Sequence, residues 1–593
     1  MTVSSPPVGY SRFRRLVGYL RPHRGKVGLG VVALLAVNGV GTYLPLLISH
    51  AIDELQASFE LPQLIQEVAL VGGLASLMWV IRMASRTWLF GVGRQVEFDL
   101  KQQIFDHVLR LEPAYFATHT AGDIINRATS DVDNIRRLVG FALLSFINTL
   151  FAYGLTLPVM FSIDLNLSLA AIAVYPFILL LVRAFSERLR AQQLAVQQAL
   201  SQLSDLIQED MSGIALIKIY AQESNEQQEF QHLNQNLLNA NLKLAKTRNT
   251  LFPILGGLAS LSLLVLLWFG SRAIASGTIT VGDFVALILY VERLIFPTAL
   301  LGFTITAYQR GEVSIDRVEA ILTVQPAIAS SPEAIALPLP EVKGHLQARH
   351  LTFTYPGTTE SALQDVSFDV EPGQTVAIVG PVRSGKSTLA NALPRLLNIQ
   401  PGQLFLDGYD ITELRLRDLR AAIAYVPQDS FLFSTTLKNN IRYGTPNADQ
   451  MEVEYAAKQA QMHGEILNFP QTYETLVGER GITLSGGQRQ RTALARALVA
   501  DAPVLILDDA LASVDNQTAT EILDNLTAGT QRKTVLFISH QLSAAATADR
   551  ILVMDRGQIV DSGTHSTLIA RPGLYQTLWD QYQLERKLQV ELP

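Results

Sequence analysis

The chain has no cysteine, and only 17% of its 593 residues are charged, where a soluble average is about 25%. The missing cysteine excludes disulfides, thiolate zinc sites, iron–sulfur clusters and cysteine nucleophiles. It does not set the compartment. Scarce charge combined with 48% apolar residues excludes intrinsic disorder and argues against an ordinary cytosolic enzyme. Basic residues are not in excess: 47 Lys and Arg stand against 53 Asp and Glu, a net charge of −6. That balance gives no footprint for nucleic acid, and no nucleic-acid partner is expected. Internal repeats and low-complexity tracts are also lacking. The composition points to a membrane protein. At about 100–200 residues per domain, the length calls for more than one core.

The apolar residues are unevenly spread. Six runs approach the roughly 20 residues needed to cross a bilayer: Val27–Ile48, Leu64–Arg82, Leu138–Phe161, Leu165–Phe185, Leu251–Ile274 and Val281–Ala307. Arg12, Arg14, Arg15, Arg21, Arg24 and Lys26 precede the first run without an acid, and Asp53, Glu54 and Glu60 follow it without a base. The positive-inside rule puts the N-terminus in the cytosol. Six spans return the rest of the chain to the same side. The leader does not read as a cleaved signal peptide, because its apolar run is too long and no small-residue cleavage site follows.

Two segments between spans, Arg82–Arg137 and Arg183–Thr250, are long, polar and helix-prone. No proline interrupts Leu64 to Leu111, about 47 residues. At about 1.5 Å per residue that helix reaches about 70 Å, against about 30 Å of hydrocarbon. The remainder projects into the cytosol, whereas links such as Ser162–Asp164 are too short to project. Pro297 is expected to kink the sixth span. Within that span, Glu292 and Arg293 are ionisable at membrane depth. They mark either a substrate cavity or partners for other helices, such as Arg82 and Arg86.

The proline-rich stretch Gln325–Gly344 reads as a linker. The expected division is a membrane domain over 1–324, the linker over 325–344, an α/β domain over 345–583 and a tail over 584–593. In the third of these, the apolar run Thr375–Val379 leads into Gly380-Pro-Val-Arg-Ser-Gly385-Lys386-Ser387-Thr388. This is G-x-x-x-x-G-K-[ST] between a strand and a helix, the context a phosphate loop requires. Its glycines let backbone N–H groups approach phosphate oxygens. Lys386 offers a point charge to the β- and γ-phosphates, and the Ser387 hydroxyl suits Mg²⁺. A second strand, Val504–Leu507, ends in Asp508-Asp509 about 120 residues later. Asp508 suits the water shell of Mg²⁺, and Asp509 stands where a base for the attacking water belongs.

The run Leu484-Ser485-Gly486-Gly487-Gln488 begins about 20 residues before that strand. With it the chain resembles the ATP-binding-cassette family over nearly its whole length. The resemblance implies an all-α six-helix membrane domain of exporter type fused to an α/β P-loop nucleotide-binding domain. ATP and Mg²⁺ are the implied cofactors. Tyr355 then resembles the aromatic that stacks on adenine, with Gly380, Ser384, Gly385, Lys386, Ser387 and Thr388 on the phosphates. Gln428 resembles the γ-phosphate and Mg²⁺ sensor, and His540 the switch histidine. Ser485, Gly486, Gly487 and Gln488 resemble the signature that donates to the γ-phosphate of a partner cassette. Asp515, in Ser513-Val-Asp515, resembles the loop across that dimer interface. Gly478-Glu479-Arg480-Gly481 resembles an exporter-specific segment near coupling helices, which are expected near His119–Asp123 and Tyr220–Glu223.

The family resemblance implies ATP-driven export of an amphipathic, drug-like or lipid-like small molecule by a dimer of half-transporters. It also implies a multi-pass protein among the lipids of a bacterial inner (plasma) membrane, with its ATPase domain in the cytosol. A DNA-maintenance ATPase is disfavoured by the six spans. A gated channel on the same architecture is disfavoured by the lack of a long insertion between the halves.

Three positions depart from the family pattern. Asp509 replaces the usual Glu, so its carboxylate is one methylene shorter. Misplacement of about 1 Å can cost about 10²-fold in rate. Arg383 stands where Gly is common, and Ala512 where Ser is usual. The Asp509 pattern resembles the weakened-site subunit of heterodimeric exporters. A second, different half-transporter is therefore the favoured partner. A homodimeric lipid flippase or peptide exporter in which Asp509 still acts as base is the alternative.

Overall fold

The computed structural model describes residues 10–57, 60–478, 481, 483–527 and 532–591. Glu479 and Arg480 lie outside the described residues. Two compact units emerge. One is made of the chain up to Leu109 together with Ala121–Val324, the other of Arg110–Thr120 and the chain from Gln325 onward.

Among the described residues of the first unit, six helical stretches are long and apolar enough to cross a membrane: Arg14–Gln56, Leu61–Val108, Ala121–Ile163, Leu165–Ser212, Glu223–Ala275 and Val281–Leu322. Leu61–Val108 is one continuous helix of 48 residues, about 72 Å at 1.5 Å per residue. Pro62 sits in its first turn, where the missing N–H costs no bond. The third and fourth stretches are separated by Asp164 alone, whose side chain accepts from the Leu167 N–H and caps the following helix. Pro297 lies inside the last helix, which continues through it.

Glycine lets these helices approach closely: a Cβ on Gly93 would sit 3.2 Å from the Gly140 Cα. Small residues at crossings are the usual device of helix packing in lipid, where apolar burial drives little. The apolar face of the second helix is left bare at Val68, Leu70, Leu77 and Trp79. An exposed apolar belt of this kind marks a membrane surface.

The second unit holds two sheets. The strands are β1 (Leu346–Phe353), β2 (Leu363–Val370), β3 (Thr375–Val379), β4 (Leu404–Leu406), β5 (Tyr409–Asp410), β6 (Ile423–Val426), β7 (Val504–Asp508), β8 (Thr534–Ile538), β9 (Arg550–Asp555) and β10 (Gln558–Gly563). One sheet has the order β2-β1-β4-β5, the other β10-β9-β3-β8-β7-β6. In the second, β9, β3, β8, β7 and β6 run parallel and β10 closes the edge antiparallel.

Every residue of β3, β7 and β8 is buried, as expected of parallel strands covered on both faces. Their side chains alternate between two cores. Ala377, Val379, Leu505, Leu507, Val535 and Phe537 join one. Val376, Ile378, Val504, Ile506, Leu536 and Ile538 join the other. Leu337 is buried in the latter core, so the stretch Gln325–Gly344 is packed at that point.

Short helices lie beside both expected coupling segments, at Pro113–Thr118 and Ile214–Ile219, just ahead of His119–Asp123 and Tyr220–Glu223. Pro113 starts the first, and Gly213 interrupts the long helix before the second. His119 and Thr120 then lead into the helix Ala121–Asn126, and Tyr220, Ala221 and Gln222 lead into the helix that begins at Glu223.

Candidate functional site

The strand order positions the site. The parallel neighbours β3, β8, β7 and β6 all point the same way, so their C-terminal ends share one edge. From that edge emerge the phosphate loop after β3, His540 after β8, Asp508-Asp509 at the end of β7 and Gln428 after β6. Ligands of open α/β sheets bind at such carboxyl edges.

The loop Gly380–Gly385 is tightly held. Gly380 has φ +153° and Gly385 φ +97°. A Cβ on Gly385 would lie 2.6 Å from the Ala362 carbonyl oxygen, and one on Gly380 would clash with the Met554 carbonyl oxygen, so packing alone requires glycine at both. Arg383 adopts φ +68°, a left-handed conformation costing a side-chain-bearing residue about 1–2 kcal/mol. The departure noted in the sequence is therefore a real backbone strain.

Lys386 is buried and folded back on its own loop. Its Nζ donates to the carbonyls of Gly380 (2.9 Å) and Pro381 (2.8 Å) and to the Ser384 Oγ (3.3 Å). Burial holds its pKa below the usual lysine range, against the attraction of Asp509 and Asp508. The Ser387 hydroxyl donates to Asp508 at 2.9 Å. The Tyr425 hydroxyl reaches the other Asp508 oxygen at 3.3 Å and Asn391 at 2.9 Å.

Burial pushes the Asp508 carboxyl above the ordinary range, and the neighbouring Asp509 adds to the rise. Two adjacent acids raised in this way, beside a serine hydroxyl, form an oxygen donor set that a hard divalent cation fits. Asp509 is also raised by burial, while the backbone N–H of His540, which donates to it, and Lys386 oppose the rise. Its backbone is left-handed, φ +50°, a conformation that Asp and Asn tolerate better than longer residues.

The signature lies at the start of helix Gly486–Val499. Ser485 and Gln488 form a reciprocal cap: the Ser485 Oγ accepts from the Gln488 N–H (3.2 Å) and the Gln488 Oε1 accepts from the Ser485 N–H (2.9 Å). The serine hydroxyl hydrogen and the first N–H groups of the helix remain as donors for an anion. Gly487 packs on the interface loop, where an added Cβ would lie 2.8 Å from the Ser513 carbonyl oxygen.

The remaining site residues are more separate. Tyr355 is half-exposed and reaches the Thr388 Oγ1 at 3.3 Å. Gln428 and His540 are exposed. Asp515 caps the next helix through the Thr518 N–H at 2.9 Å.

Several contacts were not legible from motif spacing. Gln490, buried inside the signature helix, accepts from the Ser513 N–H at 2.8 Å. Gln541 donates to the Val514 carbonyl. Tyr425 lies three residues ahead of Gln428, and only its place on β6 beside β7 reveals its reach to Asp508.

In the membrane unit, a cavity of about 320 Å³ is lined by residues including Asn38, Arg82, Arg86, Glu292 and Arg293. The Arg293 guanidinium donates to the Asn38 carbonyl (2.9 Å) and the Thr42 hydroxyl (3.2 Å). Among the described residues no ion pair joins Glu292 to Arg82 or Arg86.

Fold and site define a P-loop nucleotide-binding unit carried on the same chain as a six-helix membrane domain. The comparisons agree. The family model described as the ABC transporter transmembrane region matches residues 27–298, and that described as ABC transporter matches 363–512. A Bacillus subtilis protein named "Probable multidrug resistance ABC transporter ATP-binding/permease protein YheI" is 33% identical over 97% of this chain and 98% of its own length. An ATP-dependent lipid A-core flippase of Syntrophus aciditrophicus is 31% identical over 97% and 94%. A solved structure of a bacterial Atm1-family ABC exporter with ATP bound superposes with a TM-score of 0.75 at 27% identity, covering 96% of this chain and 99% of that one. The chain belongs to the ABC transporters, and is a multi-pass exporter-type half-transporter with one membrane domain followed by one ATP-binding cassette.

Proposed function

We propose that this chain is one half of a dimeric exporter that uses ATP to move an amphipathic, drug-like or lipid-like molecule out of the cytosol. The observation that carries the reading is the split of the ATP chemistry into two incomplete parts. The phosphate loop, Asp508, Asp509 and His540 share one sheet edge, while the signature donors belong to a separate helix start. The phosphate groups of ATP draw Lys386 off the Gly380 and Pro381 carbonyls, and the loop N–H groups cradle them. Tyr355 stacks on the base.

Ser387 and Gln428 would hold Mg²⁺, with Asp508 in its outer shell. The ion would neutralise phosphate charge. Asp509 orients and deprotonates the attacking water, and His540 holds the γ-phosphate end. Ser485 and Gly487 complete the site of the partner cassette, and Asp515 lies along that interface. Closure of the two cassettes drives the membrane helices outward, and hydrolysis reopens them. Catalysis of this kind rests on positioning and charge neutralisation.

Asp509 favours a heterodimer in which this chain supplies the intact signature and the weakened base. The membrane is read as a bacterial inner membrane with the cassette on the cytosolic side, from the basic residues ahead of the first span. The names of the relatives support drug-like and lipid-like substrates.

Proteoliposomes carrying the Asp509→Glu chain, with cassettes outward, provide the test. ATP-dependent accumulation of a fluorescent amphiphile against its gradient, absent in Lys386→Ala, is expected. Movement only down a gradient would instead mean a gated channel.

A further inference from the structure

The signature is held from behind by a residue outside any motif. Glu465, in the short helix His463–Leu467, accepts from the Gln488 Nε2 at 2.8 Å through one carboxylate oxygen. The other accepts from the Arg491 Nη2 at 2.5 Å. Gln488 is the residue whose side-chain oxygen caps the Ser485 N–H. Arg491 also donates to the Gln461 carbonyl at 2.8 Å and the Gly487 carbonyl at 3.4 Å. Gln461 itself has φ +53°, so this guanidinium ties a strained turn to the first turn of the signature helix. The Glu465 side chain is 38% exposed and the Arg491 side chain 15%.

We infer that Glu465 is a positioning residue for the composite ATP site. Its two oxygens fix Gln488 and Arg491, Gln488 fixes the cap, and the cap sets where the Ser485 hydroxyl and the Gly486 and Gly487 N–H groups point. An isolated exposed ion pair would contribute little. Here both oxygens receive donors that also reach the signature: Gln488 caps the Ser485 N–H, and Arg491 donates to the Gly487 carbonyl. The inference rests on the reading that the signature serves a partner's ATP.

The test uses the full chain in lipid nanodiscs. Because it has no cysteine, a single Glu371→Cys label reports the distance between cassettes. For Glu465→Ala, faster amide exchange at residues 485–489 is expected without nucleotide. Half-maximal closure should need about tenfold more ATP, the scale of a lost hydrogen bond to a charged group. Binding of a fluorescent ATP analogue to the open form should not change. Glu465→Gln, which keeps one acceptor, should fall between wild type and Glu465→Ala. Unchanged exchange at the signature would overturn the inference, as would closure and analogue binding weakening together. If Ser485→Ala left closure intact, the partner-site reading would fail. The exchange measurement would still decide the role of Glu465.

Discussion

The phosphate-loop edge and the signature start use similar chemistry but dispose of their donors in opposite ways. At the edge, the cation and hydroxyl are satisfied within the chain: Lys386 on two loop carbonyls, Ser387 on Asp508. At the signature, the reciprocal cap of Ser485 and Gln488 leaves a helix N-terminus with donors to spare. On the proposed function, the first region exchanges internal bonds for ATP and the second is preformed for an anion. One chain then carries two halves of different sites, which is the reason the proposal gives for a partner cassette.

Substitutions can break the contrast at either end. The largest effect is expected at Lys386→Ala, which removes the charge that the loop stores. Loss of one such electrostatic donor costs about 10²–10³ in turnover, to be read as phosphate release at saturating ATP in the Asp509→Glu background. Next is Gly487→Ala. Its methyl would lie 2.8 Å from the Ser513 carbonyl oxygen, so the interface loop must shift. In the same background about a tenfold fall in turnover with unchanged binding of an ATP analogue is expected, since misplacement of about 1 Å can cost about 10²-fold.

A smaller effect, on stability, is expected at Asp509→Asn. Burial raises the Asp509 pKa above its unfolded value. For an acid raised in this way, the stability contribution is complete below the unfolded pKa and is lost as pH rises through the folded pKa. The uncharged amide of Asp509→Asn avoids that loss, and asparagine accepts the left-handed backbone. The variant should melt higher than the parent at pH 7.5, with the gap narrowing towards pH 5. The smallest effect is Arg383→Gly. Relief of about 1–2 kcal/mol of left-handed strain is offset by about 0.5–1 kcal/mol of added chain entropy. A slightly higher melting temperature and an unchanged KM for ATP should result.

The two regions also differed in legibility. Strand Thr375–Val379 was readable to the residue because a buried β-branched run ends at a glycine loop. The six spans were readable because lipid demands long apolar stretches. Gln490, Tyr425 and Glu465 were not readable. Each acts through a neighbour far along the chain, such as Ser513, Asp508 or Gln488, and single-chain spacing carries no trace of such pairings. The strain at Arg383 and Asp509 was only half visible. Their departure from the family pattern showed in the sequence, but the left-handed backbone behind it did not.

The measurement that bears most directly on the account is ATP turnover of this chain alone in lipid nanodiscs, beside Asp509→Glu and Asp509→Ala. Near-zero turnover that Asp509→Glu restores is the predicted result, and would mark a base held one methylene short of its water. Strong turnover by the unmodified chain, abolished in Asp509→Ala, would contradict the weakened site and show a competent homodimer.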